Sequence, residues 1–155
     1  MRKFKKVALA LVLFMSLFTL TGCKERTPID AKTFQTKMES KEYTIYDSTD
    51  QFIDYSFVKK VLVAVKGDYQ IEYFIFEDEE RAKNAFEENK SDFDSQKGSV
   101  TTNQITVSTN NYDKYHLVSN GKYMSVSRIG NTMIFANVDA SLRDSVLKDI
   151  EDLGY

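Results

Sequence analysis

Four short turn signals divide the second half of this chain and part of the first into alternating, β-prone runs. Gly67-Asp68, Asn110-Asn111, Asn120-Gly121 and Gly130-Asn131 each stand between segments rich in Tyr, Val, Ile, Phe and Thr. Turns of two residues with positive-φ tolerance join neighbouring antiparallel strands, so consecutive runs must pair as hairpins. Strands are expected at 41–46, 58–65, 69–76, 104–108, 112–119, 122–129 and 132–138. In the 69–76 run, Tyr69, Ile71, Tyr73 and Ile75 share one face, and Gln70, Glu72, Phe74 and Phe76 share the other.

Three stretches break this pattern with helical spacing. From Pro28 to Glu39, residues Ala31, Phe34 and Met38 form a stripe, with Thr27 as expected cap, Pro28 at the first helical position and Asp30 in a capping-box position. From Asp78 to Phe93 the stripe is Ala82, Ala85, Phe86 and Phe93. The last helix is expected to start from Asp139 as N-cap and to bury Leu142, Val146, Ile150 and Leu153 before Gly154 ends it. The predicted fold class is α+β: a two-layer antiparallel sheet of six or seven strands with three helices. Strand–turn–strand–helix recurs at 58–93 and 122–153, so a pseudo-repeat of ββα units is an open reading.

The N-terminus reads differently. Arg2, Lys3, Lys5 and Lys6 precede an apolar run from Val7 to Leu20, 14 residues long. A membrane-spanning helix needs about 20, so this length suits a secretory signal peptide. Next comes Leu20-Thr21-Gly22-Cys23, and Cys23 is the only cysteine. This tetrad resembles the lipobox of bacterial lipoproteins. With the lysine-rich leader and Lys24, the chain resembles small lipoproteins of Gram-positive bacteria. The resemblance implies a diacylglycerol on the Cys23 thiol, cleavage after Gly22 and an acylated Cys23 at the mature N-terminus. It also implies attachment to the outer face of the cytoplasmic membrane. Two acyl chains hold a protein stably where one is marginal.

The expected organisation is then a signal peptide over 1–22, a tether over 23–27 and one globular domain over 28–155. The tether reaches at most about 14 Å, so the domain should ride close to the membrane. The mature chain carries 17 basic and 23 acidic residues, a net charge of −6. It lacks the basic footprint of nucleic-acid binding. With Cys23 acylated, no thiol remains, and packing alone must stabilise the domain as a monomer.

Signals for chemistry are sparse. His116 is the only histidine, and Asp113 and Tyr115 lie on the opposite strand face from it; it reads as a surface or half-buried strand residue. Glu77-Asp78-Glu79-Glu80 opens a helix, where acids meet the positive end of the dipole. The segment from Asp92 to Asn103 fails as a calcium loop, with glycine one place late and no acid at position twelve. No phosphate loop, nucleophile elbow or His/Cys metal set is present, so no catalytic residue, cofactor or metal is assigned. Glu72, within an aromatic strand, is the acid of most interest. Nine Tyr and eight Phe lie beyond the leader, with no Trp. Sheet-borne tyrosines suit ligand or partner binding if one face is left uncovered. The expected function is therefore a non-enzymatic, membrane-anchored module that binds a ligand or partner. A small carboxylate- and tyrosine-based hydrolase, or an accessory subunit of an envelope transporter or sensor, stands as the alternative.

Overall fold

The computed structural model describes residues 25–155; the leader and Cys23 lie outside the described residues. One seven-stranded antiparallel sheet organises the domain. Its strands are β1 (Thr44–Asp47), β2 (Val58–Lys66), β3 (Tyr69–Phe76), β4 (Thr101–Ser108), β5 (Tyr112–Ser119), β6 (Lys122–Ile129) and β7 (Thr132–Asp139). The spatial order is β1-β2-β3-β7-β6-β5-β4. Each of the four turn signals closes a hairpin. Asn120 and Gly121 both take positive φ, +50° and +76°, as a tight turn matching strand twist requires.

The helices are α1 (Ala31–Glu39), α2 (Glu79–Ser95) and α3 (Arg143–Asp152). The α+β class, the antiparallel sheet and the three helices are as expected. The helices divide between the two faces, however, so the sheet has a helical layer on each side. Phe34 and Met38 of α1 and Val146 and Ile150 of α3 pack on Leu62, Ile71, Tyr73, Tyr123 and Ile134. Ala82, Phe86 and Phe93 of α2 pack on the other face, against Val61, Phe74, Tyr115, Leu117, Met124 and Met133. The physical reason lies in β5 and β6, where both alternating residue sets are buried. The tyrosines at Tyr43, Tyr73, Tyr123 and Tyr155 are thus core residues. The two ββα units occur in order, but place their helices on opposite faces.

Local capping also differs from expectation at two places. Asp30, not Thr27, caps α1, its Oδ1 accepting from the Thr33 N–H at 2.7 Å. A carboxylate accepts that bond one turn closer to the apolar stripe, so the helix begins at Ala31. Asp139 does not cap the last helix. Its carboxylate instead takes Lys122 Nζ at 2.5 Å, and a 3₁₀ turn over Ala140–Leu142 precedes α3. Asp78 caps α2, accepting from the Arg81 N–H at 2.8 Å.

A buried ion pair braces the end of the sheet where β5 begins. Arg128 and Asp113 are each 2% exposed, with Nε to Oδ2 at 2.6 Å. Arg128 also donates to the Gly130 carbonyl at 2.9 Å, and Ser108 Oγ donates to Asp113 Oδ1 at 2.5 Å. Both charges thus have the additional hydrogen bonds that make such burial tolerable.

Candidate functional site

The register of β3 with β7 covers only Glu72–Ile75 against Thr132–Phe135. Beyond Glu72, the ends of the two strands diverge, and each keeps its other neighbour, β2 or β6. The fork leaves a cleft of about 610 Å³ lined by Asp68, Tyr69, Gln70, Glu72, Lys122, Phe135, Asn137 and Asp139. Its polar groups come from the β2–β3 turn, the diverging ends of β3 and β7 and the first residue of β6.

A second cavity, of about 350 Å³, lies on the α2 face. Its floor is Glu72, Phe74, Phe76, Met133 and Phe135. Its walls are Ala85, Glu88 and Asn89 of α2 and Phe52, Tyr55 and Phe57 of the loop before β2. The rings fix one another by edge contacts: Phe52 meets Phe74 at 5.7 Å and 86°, and Tyr55 meets Phe57 at 5.8 Å and 76°. Such pairs add stability beyond area alone and hold the groove in shape. The Arg81 guanidinium lies 5.0 Å over the Phe57 ring at the rim, an existing cation–π contact.

Glu72 and Phe135, directly paired across β3 and β7, line both cavities. Glu72 is half-buried, and burial holds its carboxyl above the usual range, with Gln70 acting weakly in the opposite direction. Its Oε1 accepts from Gln70 Nε2 at 2.8 Å, and no other described side chain donates to it. Sequence reasoning singled out Glu72 but could not see the cleft beside it. The fork arises where pairing stops, and pairing partners distant in sequence leave no local signal.

His116 is buried, not surface-exposed. Covered by α3, its ring Nδ1 lies 2.8 Å from Tyr123 Oη. Burial first, then Lys114 and Arg143, push its pKa down to about 4, so it is neutral at physiological pH. Asp113 lies on the opposite face with Arg128, so no Asp–His pair forms. A cavity of about 270 Å³ beside His116 is lined by Arg26, Ile105, Lys114, Tyr123, Arg143 and Glu151 among others. Lys114 lies 3.6 Å from Glu151, and burial lowers its pKa.

The acidic run opens α2, as its helix-start reading expects. Asp94, in the segment with faint calcium-loop character, ends α2 and accepts from Tyr115 Oη at 2.5 Å. Among the described residues, no group of three or more His, Cys, Asp or Glu side chains is arranged to hold a metal. No described helix is long and apolar enough to cross a membrane. The open tyrosine face considered from sequence is not formed, because helices lie on both faces. The groove beside α2 gathers the aromatic rings of Phe52, Tyr55, Phe57, Phe74, Phe76 and Phe135.

Arg26 fixes the start of the domain. Its backbone N–H donates to Asn111 Oδ1 at 3.3 Å, Asn111 Nδ2 returns a bond to its carbonyl at 2.7 Å, and its guanidinium donates to the Gly154 carbonyl at 2.7 Å. The guanidinium also stacks 3.7 Å over Tyr112. The chain therefore enters on the face that carries α1 and α3. Comparison with protein-family models, with curated proteins and with solved structures finds no match.

Proposed function

We propose that this chain is a lipoprotein held at the outer face of the cytoplasmic membrane through Cys23, and that it binds an amphipathic ligand. The ligand combines a flat apolar body with an ammonium or a comparable hydrogen-bond donor. The observation that carries this reading is the position of Glu72. It stands at the junction of an aromatic groove and a polar, acid-lined cleft. An apolar body would displace water from the Phe rings, and a cation would restore the charged form that burial disfavours at Glu72. Asp68 adds negative character in the cleft, while Asp139 is paired there with Lys122.

The entry geometry supports the anchored orientation. Only residues 24 and 25 separate Cys23 from the docked Arg26, a reach of roughly 10 Å. The α1/α3 face then lies toward the bilayer, and the aromatic groove on the α2 face opens away from it. The alternative, a carboxylate-based hydrolase, would call for a second carboxylate converging on Glu72. Glu88 on the groove wall, or Asp68 or Asp139 in the cleft, is the acid that would have to serve.

The test is a pair of ligand series sharing one aromatic body, one ending in an amine and the other in a carboxylate. Both are titrated into isotope-labelled protein and followed by amide NMR. Saturable shifts at Glu72, Phe74, Met133 and Phe135 with the amines alone support the reading. Equal shifts with both series, or shifts confined to residues around His116, would overturn it.

A further inference from the structure

The two edges of the sheet are treated very differently. At one edge, β1 is four residues long, ends in Asp47 paired to Lys60, and is flanked by the 3₁₀ turn Thr49–Phe52. A short, charged, partly covered strand is a protected edge. At the other edge, β4 spans eight residues, all exposed, and no described strand pairs with its outer side. The segment from Gly98 to Tyr112 holds no charged residue and no proline, in a chain that is 28% charged. Ile105 and Val107 are 47% and 38% exposed on it. The devices that keep an edge strand solitary are absent here.

We propose that β4 is a homodimerisation edge, pairing antiparallel with β4 of a second copy to form a continuous 14-stranded sheet. The occupant is a second copy for two reasons. Antiparallel strand pairing is self-complementary under a two-fold axis, so one sequence serves both sides. The full chain is net acidic at −2, its charges all lie outside the Gly98–Tyr112 segment, and β4 is the long uncharged strip where identical copies can approach.

The hairpin fixes which backbone groups of β4 face outward, and the proposed register centres the ladder on Ile105. The Thr109 N–H donates to the Tyr112 carbonyl at 2.8 Å. Alternation along the ladder then turns the backbone groups of Ile105 and Val107 toward β5, and those of Gln104, Thr106 and Ser108 outward. A two-fold axis through Ile105 pairs Gln104 with Thr106 of the second copy through these outward groups. It places Ile105 opposite Ile105 and Val107 opposite Asn103. The bulge between Thr101 and Asn103 falls at the end of this ladder, where it does not interrupt it. The axis is perpendicular to the sheet, so both copies present the α1/α3 face on the same side. Both Arg26 entry points then face one way, and two anchored chains could reach one membrane. This last point rests on the lipoprotein reading; the edge itself does not.

The test uses the full chain in its own membranes with Ile105→Cys, at an exposed position where the substitution spares the fold. Opposed residues of a non-hydrogen-bonded pair have Cα atoms about 4.5 Å apart, within disulfide reach. Mild oxidation should give a covalent dimer well above that of wild type and of Ile53→Cys, an exposed site far from β4. Adding Thr106→Lys, which keeps the backbone donor but sets like charges beside the axis, should reduce the dimer several-fold. A dimer yield no greater than in wild type and Ile53→Cys would overturn the proposal, as would a yield unaffected by Thr106→Lys. Fractionation of the same cells tests anchoring separately, so a soluble chain that still cross-links refutes the lipid and keeps the edge.

Discussion

The buried histidine makes a quantitative test of how the α3 face is built. His116 sits neutral beneath α3, its Nδ1 2.8 Å from Tyr123 Oη, with Lys114 and Arg143 nearby. The unfolded chain takes up a proton near pH 6.5, and the folded chain only near pH 4. Between these values the unfolded state binds more protons, so stability falls as pH drops through that window. A depression from 6.5 to about 4 corresponds to a loss of about 3 kcal/mol at pH 4 relative to pH 7.5. His116→Phe keeps a ring of similar size and removes the titration. It also loses the Tyr123 contact, a pH-independent offset of about 1 kcal/mol. The assay is urea denaturation of both proteins at several pH values from 7.5 to 4. The informative quantity is how their stability difference changes with pH. Wild type should lose about 3 kcal/mol more than the variant across the range. A difference that stays flat across this range would refute the buried, neutral imidazole.

Other perturbations follow from the same structure. Asp113→Ala strands the Arg128 guanidinium in the interior and should cost about 3–5 kcal/mol in urea denaturation, whereas replacing both partners by apolar residues should cost much less. Glu72→Gln removes a carboxyl whose pKa burial raises. It should increase the thermal midpoint at pH 8, with the gain shrinking toward pH 4, as differential scanning calorimetry would read. Cys23→Ala should release the protein from membranes or leave an unprocessed precursor on fractionation. A mature, membrane-bound variant would remove the lipoprotein reading.

The sheet was legible because its information is local. Tight turns such as Asn120-Gly121 and period-two runs such as Tyr69–Phe76 specify hairpins within a few residues. Helix stripes were equally local: Phe34 and Met38, or Phe86 and Phe93, lie at helical spacing and are buried in place. The number of helical layers was harder to read. It depends on β5 and β6 burying both residue sets, with Tyr112 packed on one face and Tyr115 on the other. Caps misread by a turn, as at Thr27 and Asp139, reflect several competing acceptors within a few residues. Of the candidate site, Glu72 and its aromatic neighbours on β3 could be named from sequence. Phe135, Met133 and the loop aromatics Phe52, Tyr55 and Phe57 could not be joined to them. Met133 and Phe135 meet them through the β3–β7 pairing, between segments some 60 residues apart, and the loop aromatics by folding back over Phe74. His116 was placed on the correct strand face, but its burial comes from α3, far along the chain.

The chain contains no tryptophan, so Phe135→Trp would place a single indole reporter between the aromatic groove and the polar cleft. Titrating this variant with an arylalkyl amine and following its fluorescence tests the central claim most directly. The account predicts a saturable change whose affinity falls by about tenfold or more when Glu72→Gln is added, since a hydrogen bond to a charged group contributes about 1.5–3 kcal/mol. An unchanged spectrum, or binding indifferent to Glu72→Gln, would contradict it.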